Sequence, residues 1–207
     1  MLLEGSRALG RPLTQAQAKA LSWLAGELGR WSSRINLTAI LDPIEMADKH
    51  ILDSLTVQRA LEPGPLTLLD AGTGAGFPGL PLAIAREDLT VTLVDAVAKK
   101  VGFLKHAIAQ LGLAPRVRAL HRTLEGHPGA EGLAPFDVAV SRALADPTRW
   151  AALAAPYLRP GGTLVAMAGP DTPALQLPGW EGPSVDCLRL PLSGDGRTLL
   201  TYVKSGT

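Results

Sequence analysis

The chain has 207 residues, 46% of them hydrophobic, with a formal net charge of +1. That content supports one compact α/β domain and excludes a disordered chain, while the single cysteine, Cys187, excludes a disulfide framework and a cysteine-rich zinc site. No basic-then-apolar leader precedes Arg7 and Arg11, and the most apolar stretches, Leu66 to Ala85 and Trp150 to Gly169, are broken by Gly, Pro, Asp70 or Arg159, so the expectation is a cytoplasmic protein without a membrane span.

In chain order, apolar residues at helical spacing from Leu13 to Trp31 predict a helix over Pro12 to Ser33. Asp42-Pro43-Ile44-Glu45 predicts a second helix running to about Leu61, with Asp42 as its cap, Pro43 in its first turn and Glu45 completing a capping box. Strands and helices then alternate: strand Leu66–Ala71, helix Pro78–Arg86, strand Thr90–Asp95, helix Ala98–Leu111, strands Val117–Leu120 and Phe136–Ser141, helix Pro147–Tyr157 and strand Thr163–Ala168. A Pro/Gly-rich link over Gly169–Pro183 leads to a closing hairpin, Val185–Leu190 and Thr198–Val203, joined by Ser193-Gly194-Asp195-Gly196. The reading is a helical cap over residues 1–62 and a parallel-sheet core over residues 63–207.

The most informative segment is Asp70-Ala71-Gly72-Thr73-Gly74-Ala75-Gly76-Phe77-Pro78-Gly79, directly after the first strand. Alternating glycines there open a nucleotide pocket at the carboxyl end of the sheet. Two ligands compete. Gly74-x-Gly76-x-x-Gly79 with Asp95 also fits a dinucleotide fingerprint, but Asp70 at the mouth of the loop opposes a pyrophosphate and suits the cationic S-adenosyl-L-methionine. Asp95 ends the second strand, where a carboxylate accepts ribose hydroxyls; Ser141 and Arg142 end the fourth. His50, Asp53 and Ser54 share a helix face at i, i+3 and i+4, but without a nucleophile elbow they do not make a hydrolase triad and are read as a wall of the cleft or as core. The polar groups of Asn36-Leu37-Thr38 are expected to shape the cap over the donor or to touch substrate. Between Asp95 and Glu125 lies no acid, while Lys99, Lys100, Lys105, Arg116, Arg118 and Arg122 fall there, a local basic field suited to a phosphate backbone or simply to solvent.

Asn36-Leu37-Thr38-Ala39-Ile40, His50-Ile51-Leu52-Asp53-Ser54-Leu55, Asp70 to Pro81, Thr92-Leu93-Val94-Asp95 with Lys99-Lys100, and Ser141-Arg142-Ala143 together resemble the bacterial small-subunit ribosomal RNA guanine-N7 methyltransferase family over roughly residues 12 to 170. The resemblance implies a class I S-adenosylmethionine-dependent methyltransferase fold: Rossmann-like, α/β, with a mostly parallel seven-stranded sheet, a C-terminal antiparallel hairpin and an N-terminal helical cap. It implies methyl transfer to N7 of a guanine in 16S rRNA of the small ribosomal subunit; a monomer that needs no metal is the accompanying expectation. It sets Gly72 and Phe77 against the donor, Asp95 with Ala96 and Val97 around the ribose, Thr123-Leu124 at the adenine, and Arg142 at the cleft mouth. Asp53, Ser54 and Asn36 are candidate acceptors near the purine ring, with Asp70, Gly74 and Gly76 completing the donor loop and the basic segment meeting RNA. Departures from the family at Met167-Ala168-Gly169, in place of Met-Lys-Gly, and in a shortened helix after it keep open a non-catalytic rRNA-binding relic; the other alternative is a small-molecule methyltransferase, which would share the donor loop but have no use for the basic segment.

Overall fold

A computed structural model describes residues 1–142 and 146–206; Ala143 and Leu144, part of the motif at the end of the fourth strand, lie outside the described residues. Seven strands form one sheet: β1 (Leu66–Ala71), β2 (Leu89–Asp95), β3 (Val117–His121), β4 (Phe136–Arg142), β5 (Leu158–Ala168), β6 (Trp180–Arg189) and β7 (Gly196–Lys204). Their order is β3-β2-β1-β4-β5-β7-β6, with β7 antiparallel to both its neighbours and the pairs β1–β2, β1–β4, β2–β3 and β4–β5 parallel. The chain changes direction across the sheet between β1 and β4, so the loops leaving these two strands diverge and open a crevice at their carboxyl ends.

Alternate side chains of the strands enter two cores. Leu68, Val91, Leu93, Val138, Val140 and Val165 face a core shared with the helices α1 (Leu2–Ala8), α2 (Gln15–Ser32), α5 (Gly79–Ala85) and α6 (Ala98–Gln110). Leu69, Ala71, Val94, Ala139, Leu164 and Leu200 face the other, closed by α7 (Pro147–Ala154) and by Leu133 and Leu177. α2 starts at a full capping box, Thr14 with Gln17, and buries Leu21, Leu24 and Leu28. α1 was not anticipated, its seven residues being too few to carry a helical period.

The second predicted helix differs most. It is a run of four pieces: α3 (Pro43–Met46), a π-helical turn over Ala47–Leu52, α4 (Asp53–Thr56) and a 3₁₀ turn over Val57–Ala60. Asp42 caps it, accepting from the Ile44 and Glu45 amides at 2.9 Å, but Glu45 closes no capping box and instead holds Lys49 at 2.8 Å. Within the π turn the Asp48 carboxylate accepts the Leu192 and Ser193 amides at 3.2 and 2.9 Å, docking the run onto the turn between β6 and β7. β6 starts at Trp180 and so takes in the end of the expected link, and β5 starts at Leu158 rather than Thr163.

Candidate active site

The crevice holds a small pocket of about 150 Å³, lined by Leu37, Thr38, His50, Gly72, Gly74, Phe77 and Arg142 among others. A larger apolar groove of about 930 Å³ lies elsewhere, between α1, α2 and α3, and contains none of the strand-end residues that carry chemistry in such sheets.

One wall is the loop between β1 and α5. Gly72 and Gly74 adopt left-handed φ values of 65° and 60°, and a Cβ on either would meet no atom within 4 Å, so both turn their open side to the cleft. Gly76 does not: a Cβ there would strike Leu80 and Leu104, so this glycine serves the packing of α5 and α6 rather than a ligand. Asp70 also departs from its expected place. It is fully buried beneath the loop, where Oδ2 accepts the Thr73 hydroxyl at 2.6 Å and the Gly79 amide at 2.8 Å, while Oδ1 has no partner. Burial pushes its carboxyl up to about 6. A carboxylate already engaging the N-terminus of α5 still excludes a pyrophosphate, by filling the anion site rather than by facing the ligand. At the end of β2, Asp95 accepts the Gly74 amide at 2.9 Å and the Val97 amide at 2.8 Å.

The opposite wall is wired by side chains. The His50 ring stacks on Phe77, centroids 4.8 Å apart, with Nε2 at 2.7 Å from Thr38 Oγ1 and Nδ1 at 3.1 Å from Arg142. The same Arg142 nitrogen donates to the Lys49 carbonyl at 2.9 Å, lies 3.8 Å from Asp53, and its guanidinium sits 5.3 Å from the Phe77 centroid. Burial, and then the Arg142 cation, push His50 down to about 4, so it is neutral near pH 7. Phe77, 3% exposed, packs against His50 and Arg142, which touch each other, and offers no exposed face for stacking. Asp53 and Ser54 do not face the pocket. Asp53 is buried against Arg197, which donates to it at 3.2 Å, and Ser54 donates to the His50 carbonyl at 2.5 Å. His50 and Asp53 both approach the same Arg142 nitrogen, so they do lie on one side of the run, but only His50 reaches the pocket, while the Ser54 hydroxyl turns back to the backbone. Asn36 is exposed and outside the pocket lining; Thr38, two residues on, is the polar group that enters it.

The family model for rRNA small subunit methyltransferase G matches residues 17–174. The ribosomal RNA small subunit methyltransferase G of Anaeromyxobacter dehalogenans strain 2CP-C is 48% identical over 97% of this chain and 95% of its own length, and that of Myxococcus xanthus is 44% identical over 98% and 95%. The chain belongs to the small-subunit rRNA methyltransferase G family. A S-adenosylmethionine-dependent methyltransferase of Thiobacillus denitrificans, solved with S-adenosyl-L-homocysteine, shares the fold at TM-score 0.55 and 14% identity over 73% of this chain and 90% of that one. The methyl donor expected from the sequence is S-adenosyl-L-methionine. The cleft fits it: the open sides of Gly72 and Gly74 leave room for a ligand against the backbone, and both Asp95 oxygens keep a lone pair beside the amides they accept.

The rest of the methyltransferase's expected site divides sharply. Ala96 and Val97 form an exposed shelf beside Asp95, steadied by His121, whose Nε2 lies 3.1 Å from the Ala96 carbonyl. Thr123 is exposed, but Leu124 packs on the second core. Of the basic field, Lys99 and Lys105 are exposed on α6, and Lys100 reaches to 4.0 Å from Asp95. The arginines make bonds within the protein: Arg116 donates to the carbonyls of Ala83, Arg86 and Leu89, Arg122 to the Glu131 carbonyl, and Arg118, although exposed, through Nε to the Thr92 hydroxyl. A guanidinium has five donors and readily ties backbone ends together, which a count of charges in a sequence window does not register. Cys187 lies on β6, with Sγ 3.8 Å from Thr198 Oγ1, away from the cleft. Arg197, which anchors Asp53 from β7, carries no local sequence signal. No helix among the described residues is long and apolar enough to cross a membrane.

Proposed function

We propose that this methyltransferase places the methyl group of S-adenosyl-L-methionine on N7 of a guanine in 16S rRNA of the small ribosomal subunit. The observation that supports the reading is the state of the pocket's two titratable side chains, His50 and Arg142, which are bonded to each other, so that the basic nitrogen of His50 is already taken. Such a pocket suits a nucleophile that needs no proton removed. Guanine N7 is one: its lone pair forms the new C–N bond, the C–S electrons pass to sulfur, and no proton leaves.

The donor supplies a methyl carbon carried by a positively charged sulfur. Gly72 and Gly74 let it approach the backbone, Asp95 receives the ribose hydroxyls, and the shelf of Ala96 and Val97 with Thr123 bounds the nucleoside. The pocket of about 150 Å³ suits the methionine end and the reacting base edge, the nucleoside lying over the open shelf. Alignment of the two reactants is then the main source of rate. Positive charge moves onto the purine as the methyl transfers; a neutral His50 adds no cation there, and the Arg142 charge is countered by Asp53. The exposed Lys99 and Lys105 meet RNA phosphates, in the cytoplasm where ribosomal subunits are built, and the protein acts as a monomer.

Transfer of a labelled methyl group to small subunits lacking the modification, with chemical mapping of the product base, tests this. Label confined to N7 of one guanine is the expected result; label on another base or none on RNA overturns it. Lys99→Glu with Lys105→Glu weakens subunit binding and flattens its salt dependence, whereas Arg118→Glu does neither.

A further inference from the structure

The hydrogen bonds around Thr38 have a fixed polarity. An arginine nitrogen only donates, so His50 Nδ1, 3.1 Å from Arg142, accepts. The proton of the neutral ring therefore sits on Nε2, and at 2.7 Å it is donated to Thr38 Oγ1. The Ile40 amide donates to the same oxygen at 3.1 Å. Both lone pairs of Oγ1 are thus occupied, and the hydroxyl hydrogen, on a side chain lining the pocket, has no acceptor among the described residues. Arg142, His50 and Ile40 together turn a group that normally both donates and accepts into a donor alone.

We propose that Thr38 reads the target base, its hydroxyl donating to O6 of the guanine whose N7 faces the methyl group. The inference rests on the guanine-N7 reading above and assigns its specificity to one side chain. On the edge that carries N7, guanine presents the O6 acceptor, whereas adenine presents the N6 amino donor at the same place. A donor-only hydroxyl pairs with the first and meets the second donor to donor, leaving both hydrogens unpaired as the site closes. The position of Thr38 favours the base over the donor's own carboxylate. It comes from the segment between α2 and α3, on the cap side of the pocket, whereas Gly72 and Gly74, whose open sides leave room for the donor, come from the loop after β1. The tautomer of His50 is set from behind by Arg142, which makes His50 a positioning residue for this contact.

Thr38→Val keeps the shape and removes the hydroxyl; Thr38→Ser restores it. With small subunits lacking the methyl group, Thr38→Val lowers kcat/KM by roughly tenfold and Thr38→Ser recovers most of it, while the donor dissociation constant measured by calorimetry stays within about twofold of wild type. The decisive reading is the ratio of kcat/KM on subunits carrying guanine to that on subunits with adenine at the same site: it shrinks by about tenfold or more in Thr38→Val, an effect that a merely weakened fold would not produce. An unchanged ratio overturns the inference, and a raised donor dissociation constant with an unchanged ratio shows the hydroxyl facing the donor instead. Wild-type protein that forms no 7-methylguanine fails the underlying function; wild type that forms it while Thr38→Val matches it fails this inference alone.

Discussion

The two walls of the cleft are held in different ways. The glycine-loop wall is mostly a local structure: the Thr73 carbonyl accepts the Gly76 and Phe77 amides and Asp70 accepts Thr73 and Gly79, all within ten consecutive residues, and the end of β2 adds Val94 and Asp95 as acceptors for the Thr73 and Gly74 amides. The facing wall is assembled from distant segments: Thr38 from the connection between α2 and α3, His50 and Asp53 from the segmented helical run, Arg142 from β4 and Arg197 from β7, joined by side-chain bonds across 92 and 144 residues of chain. The difference teaches where each wall is vulnerable. A local turn loses one contact at a time, whereas the facing wall rests on one buried carboxylate between two arginines.

The largest effect expected from this contrast is at Asp53. Removing one member of a buried charge cluster leaves the remaining charges without a partner and costs about 3–5 kcal/mol. Asp53→Ala leaves Arg142 and Arg197 facing each other, so urea unfolding should show a loss of that order. Thr73→Val on the loop wall removes one hydrogen bond while the Gly79 amide still holds Asp70, and should cost about 1 kcal/mol. Equal losses would show that the two walls are equally cooperative.

The same contrast governs what was legible in the chain. The alternation of strands and helices, the glycine turn and the strand-end position of Asp95 follow from periodicity and backbone chemistry within short windows, and the structure has these elements in the expected order. Asp53, Ser54, Arg116, Arg118 and Arg122 were assigned by residue type, and their orientations are decided by partners that residue type does not announce: Arg197, 144 residues on, for Asp53, the end of α5 for Arg116, β2 for Arg118, and nearer backbone carbonyls, those of His50 and Glu131, for Ser54 and Arg122. Thr38 shows the limit well. Its motif is readable as polar and near the cap, but its role as a donor depends on the bond that Arg142 makes to His50, 92 positions on from that ring.

pH should separate the walls next. The folded protein holds His50 at about 4 against an unperturbed 6.5, so between these values the unfolded chain binds the extra proton and His50 adds stability as pH rises. Asp70, held at about 6 against 3.8, does the opposite: the folded protein binds the extra proton, and stability falls as pH rises from about 4 to 6. Each contribution is roughly 3 kcal/mol at full development, so in the wild type the two largely cancel across that interval. His50→Asn, which keeps an acceptor toward Arg142, should lose ground against wild type as pH rises from 4 to 6.5. Asp70→Asn, which keeps an acceptor for Thr73 and Gly79, should gain ground from 4 to 6. Denaturation series at closely spaced pH values check both, and slopes of the same sign in the two variants would refute the opposed linkage.

The smallest effect isolates the ligand from the fold on the loop wall. Gly74 and Gly112 are matched: φ is 60° and 66°, and a Cβ on either meets nothing within 4 Å. They differ in what lies beyond, since Gly74 lines the cleft while Gly112 sits in the turn after α6. Alanine at either position is forced into the left-handed region at about 1 kcal/mol, partly offset by the entropy it removes from the unfolded chain, so both variants should melt slightly below wild type and by similar amounts. Only Gly74→Ala puts a methyl group where the donor must approach the backbone. Its S-adenosyl-L-methionine dissociation constant should rise by about tenfold or more, a loss of roughly 1.4 kcal/mol, while that of Gly112→Ala stays at the wild-type value. If both variants bind the donor normally, the open side of Gly74 is not where the donor lies, and the loop serves only to turn the chain from β1 into α5.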